Sequence, residues 1–217
     1  MKTALKVVGV LALVAGSASA DIRLDLPSNH VMLPASAVQA IDLSSGAVSR
    51  GTPVYSSMLG PFSAFAAGSF AHIDDYQSVH PATASGNFKM DAWRFAGGVT
   101  AVNGILDFFF LDNSNNIISS FGVALPSAGD FLWTITPTIP ADVAVNGRLQ
   151  IQSRTGTTGR WYMTTTAPVP GTNSLTFGHG STLAPARYAA FEIQALPTPG
   201  AAALLGLGGL MAARRRR

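Results

Sequence analysis

Few residues in this chain have the types and spacing needed for chemistry. His72 and Asp74 lie two positions apart, so on a strand both would project from one face and could approach a metal ion. No third ligand stands at a matching interval, and His30, His72, His80 and His179 share no metal-binding spacing. Asp74 and Asp75 are direct neighbours, which on a strand point to opposite faces and cannot share one acid–base site. Asp112-Asn113-Ser114-Asn115-Asn116 offers oxygen atoms like the start of a calcium loop but lacks the glycine and closing glutamate. The same five residues suit a polar hairpin turn. Gly178-His179-Gly180-Ser181 puts a serine near a histidine, without the Gly-x-Ser-x-Gly elbow of a hydrolase. Trp161 and Tyr162 are adjacent, so one should enter the core while the other faces outward, where an aromatic ring can stack on a sugar. The alternative is that Trp93, Trp133 and Trp161 all fill the core. No catalytic residue, metal or cofactor is expected.

The elements that position these residues read as strands. Between residues 21 and 196 no long 3.6-residue apolar period occurs, so helices should be few and short. Residues 37–43 form a loose strand candidate. Residues 88–92 alternate, and Trp93-Arg94-Phe95 continues out of phase, which predicts a bulge. Residues 104–111 and 117–123, joined by the polar turn, predict a hairpin. Residues 131–136 end at Pro137, Leu149 and Ile151 should point inward, and residues 160–164 follow a glycine-rich turn. A last strand over 187–195 should bury Phe191 and Ile193 and expose Glu192 and Gln194. Residues 60–86 carry Ala, Ser and Gly without a readable period. About eight short strands predict an all-β fold, a two-sheet antiparallel β-sandwich of jelly-roll type.

Both ends read as addresses. Lys2 and Lys6 precede an apolar run, and Ala18-Ser19-Ala20 precedes Asp21. A charged start, an apolar middle and a small-residue exit make residues 1–20 a signal peptide for signal peptidase, with cleavage after Ala20. Residues 196–213 are 18 positions without a charge, which as a helix would span roughly 27 Å, close to a bilayer core. Arg214, Arg215, Arg216 and Arg217 would hold the C-terminus on the cytoplasmic side. Pro197-Thr198-Pro199, an apolar helix and the arginine cluster together resemble the PEP-CTERM sorting domain, with Thr198 where that motif carries glutamate. The resemblance implies export, temporary anchoring in the bilayer by one transmembrane helix, and processing by an exosortase-type transpeptidase in an exopolysaccharide-producing envelope. Leu196-Pro197-Thr198-Pro199-Gly200 also resembles the sortase signal, lacking its threonine at the cleavage position.

The expected organisation is thus a signal peptide (1–20), an extracytoplasmic β domain (21–195) and a sorting and anchor segment (196–217). The formal charge of +3 misleads, because six of the fourteen Lys and Arg residues lie in the two ends. The body keeps eight against eleven carboxylates, which gives no reason to expect a nucleic-acid partner. With no cysteine, a lipoprotein anchor, a catalytic thiol and a cysteine zinc site are excluded. The leading expectation is an exported, non-catalytic surface or matrix protein, carbohydrate-binding or structural. Two alternatives stand beside it. One is a secreted polysaccharide hydrolase using carboxylates among Asp74, Asp75, Asp91, Asp107 and Glu192. The other is an unprocessed single-pass membrane protein.

Overall fold

Alternation of large apolar and small or polar residues dominates the body, and it builds two β-sheets that share one core. The computed structural model describes residues 23–43, 52–68, 71–81, 83–173 and 187–196. Fourteen strands occur among them: β1 (Val31–Met32), β2 (Val38–Ile41), β3 (Thr52–Ser56), β4 (Phe62–Gly68), β5 (Ala71–Gln77), β6 (Asn87–Val99), β7 (Ile105–Asp112), β8 (Ile117–Ala124), β9 (Gly129–Ile135), β10 (Ala141–Ala144), β11 (Asn146–Ser153), β12 (Gly159–Thr164), β13 (Tyr188–Ala189) and β14 (Phe191–Ala195). One 3-10 turn, Ala35–Ala37, is the helical element among the described residues. The expected signal peptide, residues 1–20, and the tail from Pro197 onward lie outside those residues. Within them, no helix is long and apolar enough to cross a membrane.

The first sheet runs β1-β8-β7-β11-β5. Every pairing in it is antiparallel except β1 against β8, which is parallel. The second sheet centres on β6, the longest strand. One edge of β6 pairs with β9 and β10, the other with β14 and β12, while β2, β3 and β4 lie further out. The predicted bulge is present: Met90 and Ala92 face consecutive residues of β14, leaving Asp91 as the extra residue. That slip returns Trp93 and Phe95 to the inward face. Their rings meet the opposite sheet, Trp93 against Phe108 at 5.4 Å and Phe121 at 5.1 Å, and Phe95 against Phe108 at 5.2 Å. Full burial of such rings contributes several kcal/mol, about 2–3 each, and no disulfide assists it.

Several expectations need correction. The unassigned stretch 60–86 contains β4 and β5. The last strand is broken at Ala190 into β13 and β14. Glu192 and Gln194 are buried, although they face away from the shared core. Part of the outward face of the second sheet is itself covered, with Met58, Ala96, Leu132 and Ala190 packed there. Polar groups on that face must therefore satisfy one another. Glu192 takes Ser56 Oγ at 3.0 Å and Gln194 Nε2 at 2.7 Å, and its Oε1 lies 3.6 Å from Nη1 of the fully buried Arg94.

Candidate functional site

The strongest candidate lies on the outward face of the second sheet, where β4, β12, β6 and β9 run side by side. Period-2 geometry separates the predicted aromatic pair. Trp161 turns inward, is 1 % exposed, and donates its indole N–H to Ala190 O at 3.2 Å. Tyr162 turns outward, its ring 5.2 Å from Phe65 and 6.0 Å from Phe62. Phe65, on the neighbouring β4, is 49 % exposed. Of the two residues singled out for stacking, Tyr162 is thus at the surface and Trp161 belongs to the core.

Arg160 and Asp130 border this aromatic surface. Both pair with Gly98 of β6, Asp130 from β9 on one side and Arg160 from β12 on the other. Because Gly98 has no side chain, the two reach each other over it: Arg160 Nη1 donates to Asp130 Oδ2 at 2.6 Å. The Tyr162 hydroxyl donates to the same oxygen at 3.0 Å, and the Arg160 guanidinium sits 5.7 Å from the Phe65 ring centre. Partial burial, with the Asp130 carboxylate beside it, raises the Tyr162 pKa, so the phenol stays a donor. Asp130 Oδ1 is shielded and accepts no hydrogen bond. The arrangement joins flat apolar rings to a bordering donor–acceptor pair, which is the chemistry a sugar ring presents in complement.

A second cluster sits on the outward face of the first sheet, beneath the segment that precedes β1. His30 Nδ1 lies 3.1 Å from Ser120 Oγ, and its Nε2 lies 3.2 Å from Asp107 Oδ1. Arg154 clamps the same carboxylate, Nη2 to Oδ1 at 2.5 Å and Nε to Oδ2 at 3.2 Å. Burial lowers the His30 pKa, with Arg154 adding to the effect against the pull of Asp107. A neutral ring protonated on Nε2 satisfies both contacts. Serine, histidine and aspartate thus form a hydrogen-bonded chain, yet Ser120 is 3 % exposed and Asp107 is held by Arg154. Further along, Leu24 exchanges two 3.0 Å hydrogen bonds with the Gln152 side chain, and Arg23 donates to Ser153 O. What this geometry does is bind residues 23–32 as a strap across the sheet.

The other chemistry-bearing residues are dispersed. His72 and Asp74 do share the inward face of β5, while Asp75 faces the other way. Asp74 accepts backbone N–H groups from Ala189 at 2.7 Å and Asp75 at 3.0 Å, and burial pushes its carboxyl up to about 8. Asp107 and Glu192 lie on outward faces of different sheets. Among the described residues, no three His, Cys, Asp or Glu side chains are grouped to hold a metal ion. Asp112 closes the β7–β8 turn as a hairpin residue, its Oδ1 accepting N–H from Ser114 at 2.7 Å and Asn116 at 2.9 Å. Residues 178–181 and the sorting residues Pro197, Thr198 and Pro199 lie outside the described residues.

Sequence reasoning missed Phe62, Phe65, Asp130 and Arg160. One signal was available: Arg160 and Tyr162 are two apart on a predicted strand and so share a face. No protein-family model, curated protein or solved structure matches this chain.

Proposed function

We propose that this chain is an exported, non-catalytic β-sandwich protein that contacts polysaccharide at the cell surface or in the surrounding matrix. The observation that carries the reading is the outward pair Phe65–Tyr162, bordered by the Asp130–Arg160 ion pair. Exposed rings of this kind gain from covering the apolar face of a pyranose, and the flanking charged groups can hydrogen-bond its hydroxyls. The destination rests on the sequence pattern of the two ends. Signal peptidase would release the chain after Ala20, and the apolar segment with Arg214–Arg217 would hold it in the bilayer until an exosortase-type transpeptidase acts at Pro197-Thr198-Pro199.

Two measurements test this reading. Affinity electrophoresis of the purified protein through gels containing a polysaccharide should retard it, and Phe65→Ala with Tyr162→Ala should restore free migration. Unretarded migration in every polysaccharide tried would remove the binding role. Mass spectrometry of the mature C-terminus should find a new end near Pro199, whereas an intact Arg217 would make the protein a permanently anchored single-pass one.

A further inference from the structure

The same surface carries a basis for choosing among sugars. Resting on the polysaccharide-binding reading, we infer that the Phe65–Tyr162 platform selects uncharged hexopyranose units and rejects uronate-bearing ones, because Asp130 neutralises the guanidinium that a sugar carboxylate would need.

The charge layout at the site supports this selectivity. Arg160 is the cation at the platform, and its Nη1 is committed to Asp130 Oδ2 at 2.6 Å. That oxygen also takes the Tyr162 hydroxyl, so the guanidinium, the carboxylate and the phenol form one closed, net-neutral unit. On β6, between the flanking strands, Ala96 and Gly98 add no charge. The next cation along β6, Arg94, is fully buried and faces Glu192. β4 contributes no charged residue at all. A uronate arriving here would therefore meet no excess positive charge among the described residues, and it would bring a second carboxylate beside Asp130, a repulsive pairing. A neutral sugar meets the opposite situation. Its apolar face can cover the exposed Phe65 ring, while its hydroxyl oxygens accept from the part-exposed Arg160 guanidinium without bringing a charge beside Asp130.

The selectivity then resides in one carboxylate, and removing its charge should reverse it. Affinity electrophoresis of the full-length chain would use two soluble probes, hydroxyethyl cellulose as the neutral polymer and polygalacturonate as the uronate. The wild-type protein should bind the neutral polymer at least about tenfold more tightly. Asp130→Asn frees Arg160 and should shift the ratio about tenfold or more toward polygalacturonate, with that new binding weakened by added salt. Asp130→Ser, which keeps an oxygen acceptor for Tyr162, gives the same reading should the asparagine variant fail to fold. Equal or tighter wild-type binding to polygalacturonate overturns the selectivity while leaving polysaccharide binding in place. So does an unchanged ratio in both folded variants. Wild-type protein that binds neither polymer overturns both.

Discussion

Asp130 and Arg160 approach β6 from opposite sides and close a 2.6 Å ion pair over Gly98. Glycine is required there by space: a Cβ on Gly98 would lie 1.8 Å from the carbonyl oxygen of Gly129 on β9. Backbone cannot yield as a side-chain tip can, so Gly98→Ala must push β9 away from β6. We expect a loss of about 2–4 kcal/mol, read as a lower urea midpoint. Polysaccharide binding should fall with it, because the ion pair spans the displaced strands. An unchanged midpoint would show that the sheet absorbs the methyl group.

Neighbouring aromatic residues should behave in opposite ways. Trp161→Ala empties a core position and should cost about 3–5 kcal/mol. Phe65→Ala removes a half-exposed ring and should leave the unfolding midpoint nearly unchanged while weakening polysaccharide binding about fivefold to tenfold. Affinity electrophoresis paired with thermal melts separates the two effects. Binding lost only when stability is lost would argue against the platform.

The strap over the first sheet hangs on His30 and Asp107. His30→Ala deletes the contacts to Ser120 and Asp107, and Asp107→Asn loosens the clamp from Arg154. Arg154 is 31 % exposed and can turn to water, so the second change should cost only about 1–2 kcal/mol. Limited proteolysis should then cut within residues 23–32 before the sheets are attacked. Cleavage no faster than in the wild type would mean that the strap is held elsewhere.

Asp74 makes stability depend on pH in an unusual direction. Its folded pKa, about 8, lies above the ordinary carboxyl value because burial disfavours the charge, with Asp75 adding to the effect. The unfolded chain therefore loses its proton first as pH rises. The contribution of Asp74 is fully present below about pH 4 and declines, by on the order of 1 kcal/mol per pH unit, until about pH 8. Asp74→Asn should remove this decline, at the expense of one backbone acceptor for Ala189 or Asp75. Comparing melts of the two proteins from pH 4 to 8 isolates the effect, and parallel profiles would contradict it.

Much of the architecture was legible because β-structure writes itself locally. The β7–β8 hairpin, the Asp112 turn, the bulge before Trp93 and the inward Leu149 and Ile151 all follow from period-2 alternation and turn chemistry within a few residues. So does the separation of Asp74 from Asp75. The apolar runs near both termini and the four closing arginines are likewise a property of contiguous composition.

Tertiary structure alone decided which faces were covered and which distant residues met. Phe109 and Glu192 point away from the shared core yet are buried, because other parts of the chain lie over the outer faces of both sheets. Ser120 is 90 positions from His30, and Arg160 is 30 from Asp130. Alternation tells which side of a strand a residue occupies, but strand order and register decide its neighbour across the sheet. Those depend on how the whole set of strands buries its apolar area together, which no short stretch of sequence encodes.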